Sequence, residues 1–178
     1  EAELATGEID LVLGFDEYMD VPRYLCRETW LQEPLAGLVQ QQNDQVGEQL
    51  DLTKLIALPH VFHSPLGTRE SMVDRYLTSH GLQRRISANS QSYLSAAAIV
   101  SQTDHLLVLP KKVASMLAGN WPLRMVSLPD DMPCYHLNCV WHPAQGEHPA
   151  VIWLRQLMLQ LLNTATHQSY SATAANPA

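Results

Sequence analysis

The segment that most constrains the fold of this chain is residues 85–110, with the sequence RISANSQSYLSAAAIVSQTDHLLVLP. They predict a strand that starts at Ile86, a polar turn, a helix through residues 93–100, a second turn and a buried strand at residues 105–109. Ser92 is among the polar residues that can cap this helix. A helix that starts at the carboxyl end of a strand points free backbone N–H groups into the crevice where open α/β sheets bind ligands. The segment therefore predicts part of a ligand-binding cleft.

Strand and helix patterns alternate along most of the remaining chain. Residues 9–13 are apolar and are followed by Gly14, as in a buried strand of a parallel sheet. Residues 60–63 predict another strand, and Thr68 is a suitable cap for a helix whose apolar residues share one face. This alternation favours an α/β fold with a mostly parallel sheet and helices on its faces. A chain of 178 residues is long enough for one domain or two small lobes.

The composition excludes several classes of function. The net charge of −7 provides no basic field for a phosphate backbone, so the chain itself is not expected to bind nucleic acid. No apolar run has the length of a membrane span and no export signal opens the sequence, so we expect a soluble protein with no membrane partner. Cys26, Cys134 and Cys139 are an odd number without disulfide-framework spacing, which favours reduced thiols in the cytoplasm.

The end of the sequence predicts a long apolar helix followed by a tail. Pro149 suits the first turn of a helix whose apolar residues, up to Leu162, occupy more than one face. Such a helix packs on its own sheet and also against something else, for which a partner subunit is one candidate. Residues 166–178 lack large aliphatic side chains and are expected to form a disordered tail.

Four separated segments, taken in their order and spacing, resemble a known family. They are LATGEIDLVLGF, LPHVFHSPLGTRESMVDRYL, VSQTDHLLVLP and VWHPAQGEHPAVIWLRQL. Together they look like the C-terminal effector-binding domain of LysR-type transcriptional regulators, over residues 4–162. The resemblance is strongest to the branch that contains NodD, naphthalene-degradation regulators and LeuO. Several motifs in register are more specific than any one of them alone.

The resemblance implies a periplasmic-binding-protein type II-like fold, with two Rossmann-like lobes joined by two crossing strands and a small-molecule effector in the cleft. On the family pattern, lobe I comprises residues 1–32 and 123–165, and lobe II comprises residues 33–122. The family's helix-turn-helix and the first strands of lobe I would precede Leu4, so lobe I is expected to be incomplete and to expose apolar surface. The resemblance further implies a cytoplasmic homodimer or homotetramer that needs no cofactor and contacts DNA only through the absent helix-turn-helix.

Candidate effector contacts follow from the same resemblance, at the ends of strands and the starts of helices. They are Gly14, Phe15, Ser64, Thr68, Arg69, Glu70, Ser92 and Tyr93. Ser92 stands where the naphthalene-degradation branch has histidine, which puts a preference for aromatic acids in doubt. Two helix starts and Arg69 nevertheless favour a small organic anion.

Several of these residues have a second interpretation. Thr68 is equally suited to cap its helix, and Arg69 on a first helical turn is typical of a solvated surface charge. Glu70 interacts favourably with a helix start without any ligand, and Tyr93 at the start of an apolar helix is typical of a partly buried residue.

Three other kinds of function are compatible with parts of the sequence. Cys134, His136, Cys139 and His142 are the residue types of a structural zinc site, but side chains alternate along a strand, so Cys139 would point away from the others and we expect no metal. The sequence contains no nucleophile elbow, phosphate loop or dinucleotide fingerprint, so we do not expect an enzyme such as a small hydrolase. A transport solute-binding protein would share the two-lobed fold, but the segment VWHPAQGEHPAVIWLRQL resembles the regulators.

Overall fold

The computed structural model describes residues 2–16, 19–64, 67 and 70–173, and describes side chains as far as residue 164. The chain divides into two compact units. Unit 1 comprises Glu1–Leu31 and His136–Ala178, and unit 2 comprises Gln32–Tyr135. Among the described residues, no helix is both long enough and apolar enough to cross a membrane.

Unit 2 is built on a five-stranded sheet in the order β5-β4-β6-β3-β7. The strands are β3 (Leu35–Gln40), β4 (Pro59–His63), β5 (Arg85–Ser90), β6 (Leu106–Pro110) and β7 (Leu123–Val126). β4 runs parallel to β5 and β6, whereas β3 is antiparallel to both β6 and β7. Four of the five strands therefore run in the same direction, so the sheet is mostly parallel, as predicted. Only β3 is reversed, because it enters the sheet from the edge at which β4, β5 and β6 end.

The boundary at the end of unit 2 differs from the predicted one. The sequence placed the return to lobe I at Leu123, but β7 pairs with β3, with Gly37 opposite Val126. This pairing keeps residues 123–135 in unit 2, and the return to unit 1 comes at His136.

Four helices cover the two faces of this sheet, namely α2 (Leu52–Ala57), α3 (Met72–Ser79), α4 (Tyr93–Val100) and α5 (Lys111–Ala118). Neighbouring residues of one strand serve opposite faces because side chains alternate along it. Leu38 and Leu107 belong to the cluster under α4 and α5, whereas Val39 and Leu106 belong to the cluster under α2 and α3. Both faces are therefore buried, which explains the nearly continuous apolar runs in these strands.

The helix starts largely follow the cap residues in the sequence. Asp51 and Ser92 cap α2 and α4 through their side-chain oxygens, which confirms the prediction for Ser92. Helix α3 starts after Ser71, whose backbone N–H and Oγ donate to the Asp74 carboxylate at 2.8 and 2.9 Å. Thr68, the predicted cap of α3, lies outside the described residues and three positions before the observed cap.

Unit 1 contains the sheet β1-β8-β2, formed by β1 (Val12–Phe15), β2 (Cys26–Glu33) and β8 (Tyr135–Trp141). β1 is antiparallel to β8, with Val12 opposite Val140. Its helices are α1 (Ala2–Thr6), α6 (Pro143–Gly146) and α7 (Pro149–Thr173). Helix α7 thus continues past Leu162, and the backbone is helical over residues 166–173, where a disordered tail was expected. Residues 174–178 lie outside the described residues.

Candidate functional site

The carboxyl ends of three strands meet at one edge of the unit 2 sheet. β4 and β5 end side by side, with His63 opposite Ser90, and the backbone N–H of Ser64 donates to the Ser90 carbonyl at 3.0 Å. β6 ends at Pro110, which pairs with Leu35 at the start of β3. We call this region the carboxyl edge of unit 2. Ligands of open α/β sheets bind outside such an edge.

A cavity of about 520 Å³ opens at the ends of β4 and β5. Its lining comprises Phe62, Ser64, Gly67, Ile86, Asn89, Ser90 and Gln91. This volume is within the range of small-molecule sites. The lining combines apolar side chains with hydroxyl and amide groups. The lining residues that the structure describes carry no charge.

Two aromatic rings lie beside each other where β4 ends and α4 begins. The rings of His63 and Tyr93 are 3.8 Å apart at their centroids and tilted by 33°. His63 is only 9% exposed, and burial lowers its pKa, an effect that contact with the Ser90 backbone partly offsets. Within the described part of the chain, its Nδ1 is buried without a hydrogen-bond partner. This imidazole is therefore uncharged at neutral pH.

Three backbone N–H groups at the start of α4 are bonded within the chain. The backbone N–H of Ser92 donates to Ser90 Oγ at 3.2 Å, and that of Ser95 donates to Ser92 Oγ at 3.4 Å. The N–H of Ala96 donates to the Ser92 carbonyl at 3.0 Å. Ser92, a predicted effector contact, thus serves as the cap of α4.

The start of α5 already holds a carboxylate. Glu33 is 4% exposed, and its Oε1 accepts the backbone N–H of Lys112 at 2.7 Å. The Nζ of Lys112 is 3.9 Å from the other carboxylate oxygen, and the N–H of Lys111 donates to the Pro34 carbonyl at 2.8 Å. Sequence reasoning missed Glu33, because it lies far from Lys112 in the chain and no local pattern connects the two.

Only part of the predicted site is brought together at this edge. Ser64, Ser92 and Tyr93 lie at the ends of β4 and β5 and the start of α4. Glu70 is exposed immediately before the cap of α3. Thr68 and Arg69 lie outside the described residues.

The other two predicted contacts belong to unit 1. Gly14 and Phe15 are the last residues of β1, where Phe15 pairs with Leu137 of β8. The carboxylate of the next residue, Asp16, accepts the backbone N–H of His136 at 3.0 Å and lies 2.8 Å from its Nδ1.

A buried charged network lies behind the cavity. The guanidinium of Arg84, 3% exposed, donates to the Asp74 carboxylate at 2.7 and 2.8 Å, and lies 5.1 Å from the centre of the Phe62 ring. Its Nη1 is 3.3 Å from Nδ1 of His60, whose Nε2 lies 2.8 Å from the Leu55 carbonyl. Burial, and then the charge of Arg84, lower the pKa of His60 to about 4.

The network shifts the pKa of Asp74 in the direction opposite to the effect of burial. Burial raises the pKa of its carboxyl group, but the hydrogen bonds and charge of Arg84, with hydrogen bonds from Ser71, outweigh burial and hold the pKa below its usual value. Asp74 and Arg84 are therefore both charged at neutral pH, whereas His60 is neutral.

Cys139, His136 and His142, three of the four residues considered for a zinc site, have separate environments. Cys139 is fully buried, which raises the pKa of its thiol to about 11, and His136 lies against Asp16. His142 caps α6 through its Nδ1, which accepts the N–H of Ala144 at 3.2 Å. In the part of the chain that the structure describes, no group of three or more His, Cys, Asp or Glu side chains could hold a metal ion.

Known proteins resemble this chain over nearly its whole length. Residues 1–163 match the family model of the LysR substrate binding domain. Nodulation protein D 3 of Mesorhizobium japonicum is 26% identical, over 88% of this chain and 52% of that protein. The transcriptional activator NahR of Pseudomonas putida is 28% identical, over 89% of this chain and 52% of that protein. The chain thus spans about half the length of the curated relatives it matches.

A solved structure extends the likeness to three dimensions. The regulatory domain of MexT, a transcriptional activator in Pseudomonas aeruginosa, superposes with a TM-score of 0.74 at 25% identity. The match covers 89% of this chain and 76% of the MexT domain.

Proposed function

Because this chain belongs to the family of LysR substrate-binding domains, we propose that it is the effector-sensing domain of a bacterial LysR-type transcriptional regulator. The observation that most supports this role is the cavity of about 520 Å³ at the carboxyl edge of unit 2. Sensing of this kind requires no chemical step, so the proposal assigns the domain no enzymatic activity. The relatives are transcriptional regulators, which favours this role over a transport solute-binding protein.

The mechanism of such a domain is linkage between effector binding and conformation. An effector that binds one arrangement of the domain more tightly shifts the population towards that arrangement. The shift then changes how the DNA-binding part of the full-length protein engages its promoter in the cytoplasm, and the coupling is reciprocal. Contact with DNA belongs to that other part, since this chain carries a net charge of −7.

We expect small organic molecules to stabilise this chain against heat, and a thermal-shift screen tests this. A ligand at about 100 times its Kd adds about 2.7 kcal/mol of stability. The screen covers aromatic acids, amino acids, flavonoid-like compounds and other small organic acids. Absence of any shift in a folded sample would contradict effector sensing by this chain.

The cavity lining then decides where an active compound binds. Ser64→Ala removes a hydroxyl from the lining, and we expect it to weaken binding by roughly 3- to 10-fold, the effect of one hydrogen bond. Ser87→Ala is the matched control, since Ser87 is exposed on β5 outside the lining. Equal affinities of both variants and the native chain would place the site elsewhere.

We further propose that the domain assembles as a homodimer or homotetramer through unit 1. Trp153 and Leu161 of α7 are 62% and 60% exposed, and Leu13 of β1 is 37% exposed. Leu13 and Leu161 line an apolar groove of about 240 Å³ with Trp30, Leu137, Met158 and Leu162. Apolar surface of this kind marks interaction sites.

Trp153→Asp combined with Leu161→Asp is expected to shift the chain to monomer in analytical ultracentrifugation. A charge in this surface must be desolvated when two copies meet. Leu94→Asp is the control, because Leu94 is 60% exposed in unit 2. A native chain that sediments as a single monomeric species would contradict the assembly.

A further inference from the structure

The strands β3 and β7 separate at the carboxyl edge of unit 2. Among the described residues, their last pair towards this edge is Gly37 opposite Val126. After it, Ser127 bonds to another segment: its N–H donates to the Glu48 carbonyl at 2.8 Å, and its carbonyl accepts the N–H of Leu50 at 2.9 Å. The start of β3 and the end of β7 therefore form a fork that opens at the carboxyl edge.

One residue directs its backbone polar groups into this fork. In an antiparallel pair, alternate residues direct both their N–H and C=O groups towards the same neighbouring strand. The N–H of Lys111 donates to the Pro34 carbonyl at 2.8 Å, so Pro34 faces β6 and the next residue, Leu35, faces β7. Leu35 has no backbone hydrogen bond to β7 or to any other residue that the structure describes. Its N–H and C=O therefore depend on water or a ligand in the fork.

A cavity of about 320 Å³, which we call the fork cavity, opens between the two strands. Its lining shares no residue with that of the cavity at the ends of β4 and β5. Methionine side chains in a lining adapt to apolar groups of different shapes. The volume is at the lower end of the range for small-molecule sites, so the fork cavity suits a small molecule with an apolar part. The apolar walls are formed by Leu35, Met125, Val126, Leu128 and Met132.

Two residues of opposite charge also line the fork cavity. They are Lys111, at the start of α5, and Asp130, in the turn after β7, and both are exposed. Neither forms an ion pair with any residue that the structure describes. Each is therefore available to bind the opposite charge of a ligand through a charge-assisted hydrogen bond.

The turn that carries Asp130 is anchored to α3. The hydroxyl of Tyr76, a residue that is 8% exposed, donates to the Asp131 carboxylate at 2.6 Å. Within the turn, the N–H of Met132 donates to the Pro129 carbonyl at 3.0 Å. This side of the fork cavity is thus ordered before a ligand arrives, which lowers the entropic cost of binding.

From these observations we infer that the fork cavity is a second ligand site of unit 2, and that it takes a free α-amino acid with an apolar side chain. The carboxylate of such a molecule accepts the Leu35 N–H and pairs with Lys111, while its ammonium group donates to the Leu35 carbonyl and pairs with Asp130. Its side chain packs against Leu128 and Met132. The inference goes beyond the proposed sensing function, which assigns no role to this cavity.

Isothermal titration calorimetry with L-leucine and two analogues tests this inference. N-acetyl-L-leucine lacks the ammonium group and L-leucinamide lacks the carboxylate, so each analogue removes one charge and keeps the side chain. We expect the native chain to bind L-leucine and L-methionine, and to bind either analogue at least about tenfold more weakly than L-leucine. Glycine keeps both charges but has no apolar side chain, and we expect it to bind at least about tenfold more weakly as well.

Variants of the charged lining residues locate the site. Lys111→Gln is expected to weaken binding of L-leucine by roughly 3- to 10-fold and to reduce its advantage over L-leucinamide. Asp130→Asn is expected to have a similar effect on L-leucine and to reduce its advantage over N-acetyl-L-leucine. Lys54→Gln and Asp44→Asn are the matched controls, because they remove exposed charges of unit 2 outside the lining. Ser64→Ala, in the other cavity, is also expected to bind L-leucine like the native chain.

The remaining outcomes contradict the inference in different ways. The melting temperature of each variant is measured first, so that affinities are compared only between folded proteins. If neither L-leucine nor L-methionine binds to the folded native chain, the inference is wrong, whereas the sensing function is still decided by the organic acids of the thermal-shift screen. Equal affinities for L-leucine and both analogues would exclude recognition of the two charges.

A different set of variants could lose the ligand. Weaker binding of L-leucine in Ser64→Ala, with no effect of Lys111→Gln or Asp130→Asn, would place the amino acid in the cavity at the ends of β4 and β5. That result would refute the fork cavity as the site and would support the proposed sensing function.

Discussion

Replacing Arg84 by methionine is expected to lower the free energy of unfolding by about 3–5 kcal/mol, the usual effect of removing one partner from a buried ion pair. Arg84 is 3% exposed and Asp74 is 19% exposed, so the substitution leaves a carboxylate with little access to water. It also removes the donors to Ser71 Oγ and to His60 Nδ1. Methionine keeps a similar apolar stem, so the loss reports mainly on the charged network. Urea denaturation monitored by circular dichroism measures the change.

The neighbouring residue provides the control for this experiment. Arg85 is exposed on β5, and Arg85→Met is expected to change the free energy of unfolding by less than about 0.5 kcal/mol. Combining Arg84→Met with Asp74→Asn should destabilise by less than the sum of the two single effects, because the two residues share one interaction. Equal effects of Arg84→Met and Arg85→Met would show that the network contributes nothing.

Acidification from pH 6.5 to pH 4 is expected to cost unit 2 about 3 kcal/mol through His60 alone. The pKa of His60 falls to about 4 in the folded chain, from an ordinary value of 6.5. Below pH 6.5 the unfolded chain therefore binds a proton at His60, whereas the folded chain does not bind it until the pH approaches 4. The stabilisation is complete above pH 6.5 and is lost as the pH falls towards 4. A protonated Nδ1 would place an N–H group against the Arg84 guanidinium, 3.3 Å away.

His60→Gln should flatten this pH dependence when free energies of unfolding are compared between pH 7 and pH 4. A glutamine amide can still donate towards the Leu55 carbonyl and accept from Arg84, which keeps the site close to native. His63, whose pKa is also lowered, retains a smaller slope of the same sign in the variant. His148→Gln, at an exposed position, should behave like the native chain. A slope unchanged by His60→Gln would contradict a neutral buried His60.

Local sequence patterns predict much of the fold because the physics behind them is local. The cap Ser92 is confirmed, and the α/β fold of the periplasmic-binding-protein type is confirmed by the match to the MexT regulatory domain. The direction of β3 and the place of β7 could not be predicted in this way. Both depend on which distant strands pair, and an apolar strand carries the same pattern in either direction.

The candidate site is less accessible to sequence reasoning for the same reason. Ser64, Ser92 and Tyr93 were predicted from the family resemblance, and the structure places them at the ends of β4 and β5 and the start of α4. Glu33 was not found, since its burial and its contact with Lys112 arise only when β3 and β6 pair. The buried neutral state of His60 could not be predicted either. The sequence around a histidine in an apolar strand does not indicate that an arginine packs beside it.

The order of the two units along the chain also determines when each can form. Unit 2 is continuous in sequence, whereas β1 and β8 of unit 1 lie on either side of it. These two strands can pair only after both have been synthesised. On a ribosome all of unit 2 up to Cys134 is synthesised before Tyr135, the first residue of β8. When β1 pairs with β8, the intervening chain becomes a closed loop, which is entropically unfavourable if that loop is flexible. Most of this entropic cost is removed when the intervening chain has already folded. The sheet of unit 1 therefore closes only after unit 2 has been synthesised, and its apolar strands stay unpaired until then.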